Sequence, residues 1–101
     1  MSRATIDVEL HLLPTSEGGK AQPLRSGYRS IILFEGAELP CGFELELVPE
    51  LVDGLAPGAS TRARLLLWAV AEATPFLLTG KRFELREGDR IVGRGVIVDS
   101  A

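Results

Sequence analysis

KRFELREGDRIVGRGVIVDS, residues 81–100, is the stretch whose reading decides the fold. Phe83 and Leu85 alternate with Arg82, Glu84 and Arg86, the period-two pattern of a strand with one wet face. Glu87-Gly88-Asp89-Arg90 breaks that pattern and reads as a turn, and residues 91–98 return as the partner strand. Strict alternation would put Arg94 on one face with Val92, Val96 and Val98. A guanidinium buried there without a partner would be costly. Gly93 and Gly95 offer the way out, because glycine inside a strand marks a bulge, a bend or a close backbone approach. A bulge near Gly93 turns Arg94 outward, and small barrels need such corners to close.

Upstream, Ile6, Val8, Leu10 and Leu12 alternate with Asp7, Glu9 and His11, and Pro14 ends that strand. Residues 14–27 are rich in Gly, Pro and Ser and read as a long loop. Residues 28–35 read as a second strand. Phe43, Leu45 and Leu47, alternating with Glu44 and Glu46, make a third, closed by Pro49. Residues 50–58 read as a turn region. Residues 60–70 carry the run Leu65-Leu66-Leu67, which also suits a short buried helix, but only alternation explains Arg62 and Arg64, so a strand is expected. Residues 71–78, broken by Pro75, are expected as an edge segment, a marginal seventh strand. Short strands separated by turn signals indicate an all-β sandwich or barrel, with six strands assigned here.

A chain of 101 residues is one domain by length. Its net charge of −3 weighs against a surface that grips nucleic acid everywhere, while leaving room for a local basic patch. Arg25, Arg29, Lys81, Arg82, Arg86, Arg90 and Arg94 lie in two regions that could converge. Cys41 is the only cysteine, which rules out an internal disulfide and fits a reducing, cytoplasmic setting. No stretch approaches the roughly 20 apolar residues of a membrane-spanning helix. The chain begins at Met1 with no signal-peptide pattern and is taken as a complete small protein, an excised domain being the alternative.

Little catalytic chemistry is visible. His11 reads as a histidine on a wet strand face and Cys41 as a small buried hydrophobe. One His and one Cys fall short of the three or four ligands of a metal site. Gly18-Gly19-Lys20 lacks the second spaced glycine, the Ser or Thr after lysine and the following helix of a phosphate loop, since Ala21 follows Lys20. Glu44 and Glu46 sit where any half-exposed strand places polar residues. The chain is therefore expected to be non-enzymatic, with no cofactor and no bound nucleotide.

Residues 83–96, FELREGDRIVGRGV, resemble the closing hairpin of the third domain of elongation factor Tu, a family that reads close to RFAIREGGRTVGAGVV there. Glu17-Gly18-Gly19-Lys20, Pro23-Leu24 and Gly27-Tyr28-Arg29 are similar to that domain's first loop, EGGR followed by GYR. Order and spacing agree from about residue 4 to residue 99. The resemblance implies a six-stranded antiparallel Greek-key β-barrel that packs on a nucleotide-binding domain and touches the T-stem backbone of aminoacyl-tRNA. The nucleotide-binding module has no counterpart in this chain, so GTP hydrolysis is not implied. Of the family's tRNA-facing positions, the hairpin glutamate and glycine match Glu87 and Gly88, and the basic residue after the paired glycines matches Lys20. The residue after that, often histidine, is Ala21, and a polar position three past the tyrosine is Ile31. A family lysine ahead of the hairpin finds only Ala-Glu-Ala-Thr-Pro at residues 71–75.

Two functions follow as expectations, both in translation. One is a protein-interaction module, or self-association, through the surface left by the missing domains, with Trp68, Phe76, Leu77 and Leu78 as candidate interface residues. The other is a weak, salt-dependent accessory for tRNA or other RNA backbones, with Lys20, Arg29, Arg86, Glu87, Gly88, Arg90 and Arg94 as candidate contacts.

Overall fold

The computed structural model describes residues 3–68 and 70–99. Six strands, β1 (Arg3–Leu12), β2 (Arg29–Phe34), β3 (Cys41–Leu47), β4 (Ser60–Trp68), β5 (Arg82–Glu87) and β6 (Arg90–Asp99), close into one antiparallel barrel in the order β1-β4-β3-β2-β5-β6. β2, β3 and β4 form a meander, β5 returns beside β2, and β6 closes on β1. Alternation sends Ile6, Val8, Leu10 and Leu12 of β1, Phe43, Leu45 and Leu47 of β3, and Ala63, Leu65 and Leu67 of β4 into one continuous core. Leu66 lies outside that core set, so Leu65-Leu66-Leu67 is strand and the helical alternative falls. The outward positions between them pair across strands. Arg62 meets Glu9 at 2.7 Å, Arg64 meets Asp7 at 3.0 Å and Glu46 at 3.3 Å, and Arg29 meets Glu44 at 2.8 Å. Such exposed pairs add little stability, but they disfavour a slip in register.

The closing hairpin bends as the glycines required, with one correction. Leu85 faces Gly93, yet the next residue, Arg86, faces Ile91, so Val92 stands in a bulge. Val92 and Gly93 are both buried and Arg94 is exposed. The inward face of β6 is the glycine face, with Gly93, Gly95 and Ile97, and not the valine face that strict alternation suggested. Beyond Arg94, Val96 and Val98 look outward and are half-buried. The glycines make room for Leu85 and Phe83, their partners on β5. A second irregularity, where Asp7 faces Asp99 and Val8 faces Ile97, bends the other end of β6.

Residues 71–78 are not an edge strand. A single helical turn, α1 (Val70–Ala73), runs into a 3-10 turn, Thr74–Phe76, with Pro75 in its first turn. Proline has no N–H to lose at such a position and its fixed φ suits it. Each strand of the closed barrel already has a neighbour on both flanks, so no whole strand edge is left for this segment to join.

Because every pairing is antiparallel, the connections sort to two ends. Loop 13–28, loop 48–59 and the turn at Gly88 and Asp89 gather at what we call the upper end. An isolated bridge between Leu24 and Leu55, both buried, joins the two long loops there. Residues 35–40 and the segment through α1 to Lys81 gather at the lower end.

Candidate functional site

At the upper end the long loop is fastened to the hairpin tip by a polar cluster. Pro14 starts a 3-10 turn, Thr15–Glu17, and Gly18 ends it at φ 87°, a left-handed backbone that glycine adopts without strain. That reversal brings Lys20 to Glu87, with Nζ donating to Oε2 at 2.7 Å. The Tyr28 hydroxyl donates to the same oxygen at 2.6 Å, and Lys20 Nζ also sits 5.5 Å from the centre of the Tyr28 ring. Arg90 donates through Nε to the Gly18 carbonyl at 2.8 Å and through a terminal nitrogen to the Gly19 carbonyl at 2.5 Å. The hydrogen bond from Lys20, then that from Tyr28, holds the Glu87 carboxyl below the usual carboxylate range. Burial, then the bond to Glu87, pushes the Tyr28 phenol far above its ordinary value.

Beside this cluster lies a cleft of about 500 Å³, lined by Lys20, Ala21, Gln22, Pro23, Leu24, Arg25, Ser26, Tyr28 and Arg90. Three of those residues are cations and none is a carboxylate. Arg25 is turned by a bond to the Val52 carbonyl at 3.0 Å, and Ser26 holds Glu50 at 2.7 Å.

The basic candidates do not form one surface. Lys20, Glu87 and Arg90 come together, with Gly88 at the exposed tip beside them at φ 61°. Arg86 lies further down β5 and is engaged by Glu84 at 2.7 Å. Arg29 pairs with Glu44 and sits 5.6 Å from the centre of the Trp68 ring. Arg94 lies on the outer wall opposite His11 and Glu84. Arg25 and Tyr28 were absent from the expected contact set. Tyr28 is separated from Glu87 by 59 positions, so no local spacing could reveal it as a partner.

The apolar candidates separate as well. Trp68 lies on the outer wall against Gly42, with the Arg3 and Arg29 guanidinium groups 6.0 and 5.6 Å from its ring centre. Leu77 packs on the core. Phe76 stacks on Phe34 with ring centres 6.5 Å apart and lines a second cleft, about 230 Å³, with Phe34, Ala37, Leu39, Pro40, Cys41 and Ala73. Leu39 on its lip is 75% exposed, and Leu78, on the other lower connection, 60%. Leu39 was not among the expected interface residues, because a leucine inside a short Gly- and Pro-bounded connection gives no periodic signal.

Among the described residues no group of three or more His, Cys, Asp or Glu could hold a metal ion, and no helix is long and apolar enough to cross a membrane. No protein-family model matches the chain.

Proposed function

We propose that this barrel is a non-enzymatic, cytoplasmic protein-docking module acting in translation, with its lower end as the docking surface. The observation that carries the proposal is the cleft of Phe34, Ala37, Leu39, Pro40, Cys41, Ala73 and Phe76, all without charge, beside a leucine that is 75% exposed. Its volume suits one large apolar side chain. Glu35 and Glu38 are exposed on the same connection, so the partner segment that fits is an apolar anchor flanked by Lys or Arg. Burying one such side chain yields about 1.5–3 kcal/mol, less than the cost of association. The docking is therefore transient unless a wider surface joins in. The resemblance to the third domain of elongation factor Tu supports this reading, because in that family the domain packs on a neighbouring domain. The return of β5 beside β2 after the β2–β3–β4 meander is compatible with the Greek key that the resemblance implies and supports the same reading. A peptide-display selection on the full chain tests it. Enriched peptides should share an apolar anchor with basic flanks, shift the amides of Ala37, Cys41 and Phe76, and lose binding to Leu39→Asp. Peptides that bind Leu39→Asp equally well would refute the lower end as the surface.

A second reading, weak binding of a tRNA or RNA backbone, draws on the upper cleft, where Lys20, Arg25 and Arg90 meet no lining carboxylate. Against it, Lys20 is already neutralised by Glu87 and Arg90 already holds two carbonyls. Labelled tRNA titrated at about 50 mM salt, where phosphate contacts are strong, should bind and weaken steeply with added salt. Absence of binding there ends this reading without touching the first.

A further inference from the structure

On the outer wall, β1, β5 and β6 bring His11, Arg82 and Arg94 into one shallow groove of about 330 Å³, shared with Glu9, Ser60 and Val96. The register sets their spacing. His11 lies directly opposite Arg94, while Arg94 faces Glu84 and Arg82 faces Val96. Arg82 and Arg94 are thus diagonal neighbours on one face, with Cβ atoms about 7–8 Å apart or somewhat less. That is within reach for two guanidinium forks to converge on one small group. His11 is oriented by Ser60, whose Oγ lies 2.9 Å from Nδ1, which leaves Nε2 as the ring's other polar atom.

Charge accounting singles this groove out. The two carboxylates that border it are committed elsewhere, Glu9 to Arg62 at 2.7 Å and Glu84 to Arg86 at 2.7 Å. Arg82 and Arg94 are both exposed, and among the described residues neither guanidinium has an ion-pair or hydrogen-bond partner. In a chain of net charge −3, this is a local surplus of two positive charges on adjacent strands.

We propose that this groove binds a single phosphomonoester dianion, free or carried on a small molecule. Arg82 and Arg94 supply two planar forks whose combined charge matches the dianion, and charge-assisted bonds of this kind are the strong ones. A lone dianion fits better than a run of phosphates. Outward from the groove the neighbouring cations are each held by a carboxylate, Arg62 by Glu9, Arg64 by Asp7 and Glu46, and Arg86 by Glu84, so a polyanion would meet no unengaged cation among them. The site is distinct from both clefts and does not depend on the docking proposal.

Inorganic phosphate titrated into the isotope-labelled full chain, at low ionic strength in a non-anionic buffer, tests this by backbone amide shifts. Saturable shifts confined to His11, Ser60, Arg82, Arg94 and Gly95 are expected, with half-saturation at about 1–10 mM. The double variant Arg82→Gln/Arg94→Gln should lose about tenfold or more in affinity while its other amides overlay the parent's. Arg25→Gln at the upper cleft should leave the affinity unchanged, and phosphoserine should move the same residues as phosphate. Non-saturating shifts, shifts centred on Lys20 and Arg90, or an undiminished affinity in the double variant would overturn the proposal. So would a short RNA that moves these amides more tightly than phosphate does, since the groove would then read a nucleic-acid backbone.

Discussion

Replacing Gly95 by alanine tests the reasoning that joins the closing hairpin to the barrel. Gly95 lies between Phe83 on β5 and Leu10 on β1. A Cβ there would run into the Glu9 carbonyl oxygen and stand 2.5 Å from Phe83 Cζ and 3.0 Å from Cε1. Neither neighbour can yield cheaply. The carbonyl belongs to the backbone of the adjoining strand, and Phe83 is 3% exposed with its ring edge-on to Phe34 at 6.3 Å. One extra methyl forced into a packed core costs about 1–3 kcal/mol, and the double clash puts Gly95→Ala near the top of that range. For a domain of this size that lowers Tm by about 10–20 °C. Two glycines serve as internal standards. At Gly93 a Cβ would stand 3.1 Å from the His11 carbonyl oxygen and 3.7 Å from the Leu10 and Leu85 side chains. Slight crowding there is offset by the smaller entropy of the unfolded chain, so Gly93→Ala should change stability by less than about 1 kcal/mol. Gly88 has open space around it but φ 61°, so Gly88→Ala should cost about 1 kcal/mol from backbone conformation alone. Urea titration followed by the fluorescence of Trp68, the single tryptophan, reads all three. If Gly95→Ala stays within about 0.5 kcal/mol of the parent, or is milder than Gly88→Ala, the close approach of three strands at this point is refuted.

The Glu87 carboxyl is depressed by its bonds from Lys20 and Tyr28, so its stabilising effect is present above the ordinary glutamate value, about 4.3, and is lost as pH falls through the lower folded value. Glu87→Gln should flatten that acid limb in a series of urea midpoints against pH. The Tyr28 phenol is raised by burial and by Glu87, so its contribution is full below about pH 10 and declines as pH rises beyond it. Tyr28→Phe should remove this alkaline limb. Arg90→Ala frees the Gly18 and Gly19 carbonyls, and hydrogen exchange at Glu17, Gly18 and Gly19 should quicken by about tenfold while the core amides of β3 keep their protection. Leu39→Asp should leave stability within about 0.5 kcal/mol because Leu39 is exposed. Phe76→Ala, removing a half-buried ring stacked on Phe34, should cost about 2 kcal/mol in the same urea assay.

The strands were legible because each keeps a period of two over several residues, and β4 was recovered from Arg62 and Arg64 despite three consecutive leucines. What the pattern could not give was the side of β6 that faces inward, since glycine carries no hydrophobic signal and the bulge at Val92 is set by how Gly93 and Ile91 pair with Leu85 and Arg86 across the hairpin. The single turn of α1 is too short to show a helical period, and Pro75 before a leucine pair looks the same in an edge strand as in a 3-10 turn. At the upper end Lys20 and Glu87 could be named from resemblance, but their bond to one another spans 67 positions and is invisible to any local rule. The candidate contacts therefore turned out to include a fastening between loop and hairpin. The groove of His11, Arg82 and Arg94 draws on three strands and becomes visible only once the register is known.

Closure of the sheet has a consequence for recognition. Each strand has a neighbour on both flanks, so among the described residues no whole strand presents an open edge for an incoming chain to zip onto, and insertion of a full seventh strand would require two paired strands to part. Whatever this molecule recognises must be read by side chains on its wall or by the caps at its two poles. Those caps can diverge in sequence while the staves beneath them stay unchanged.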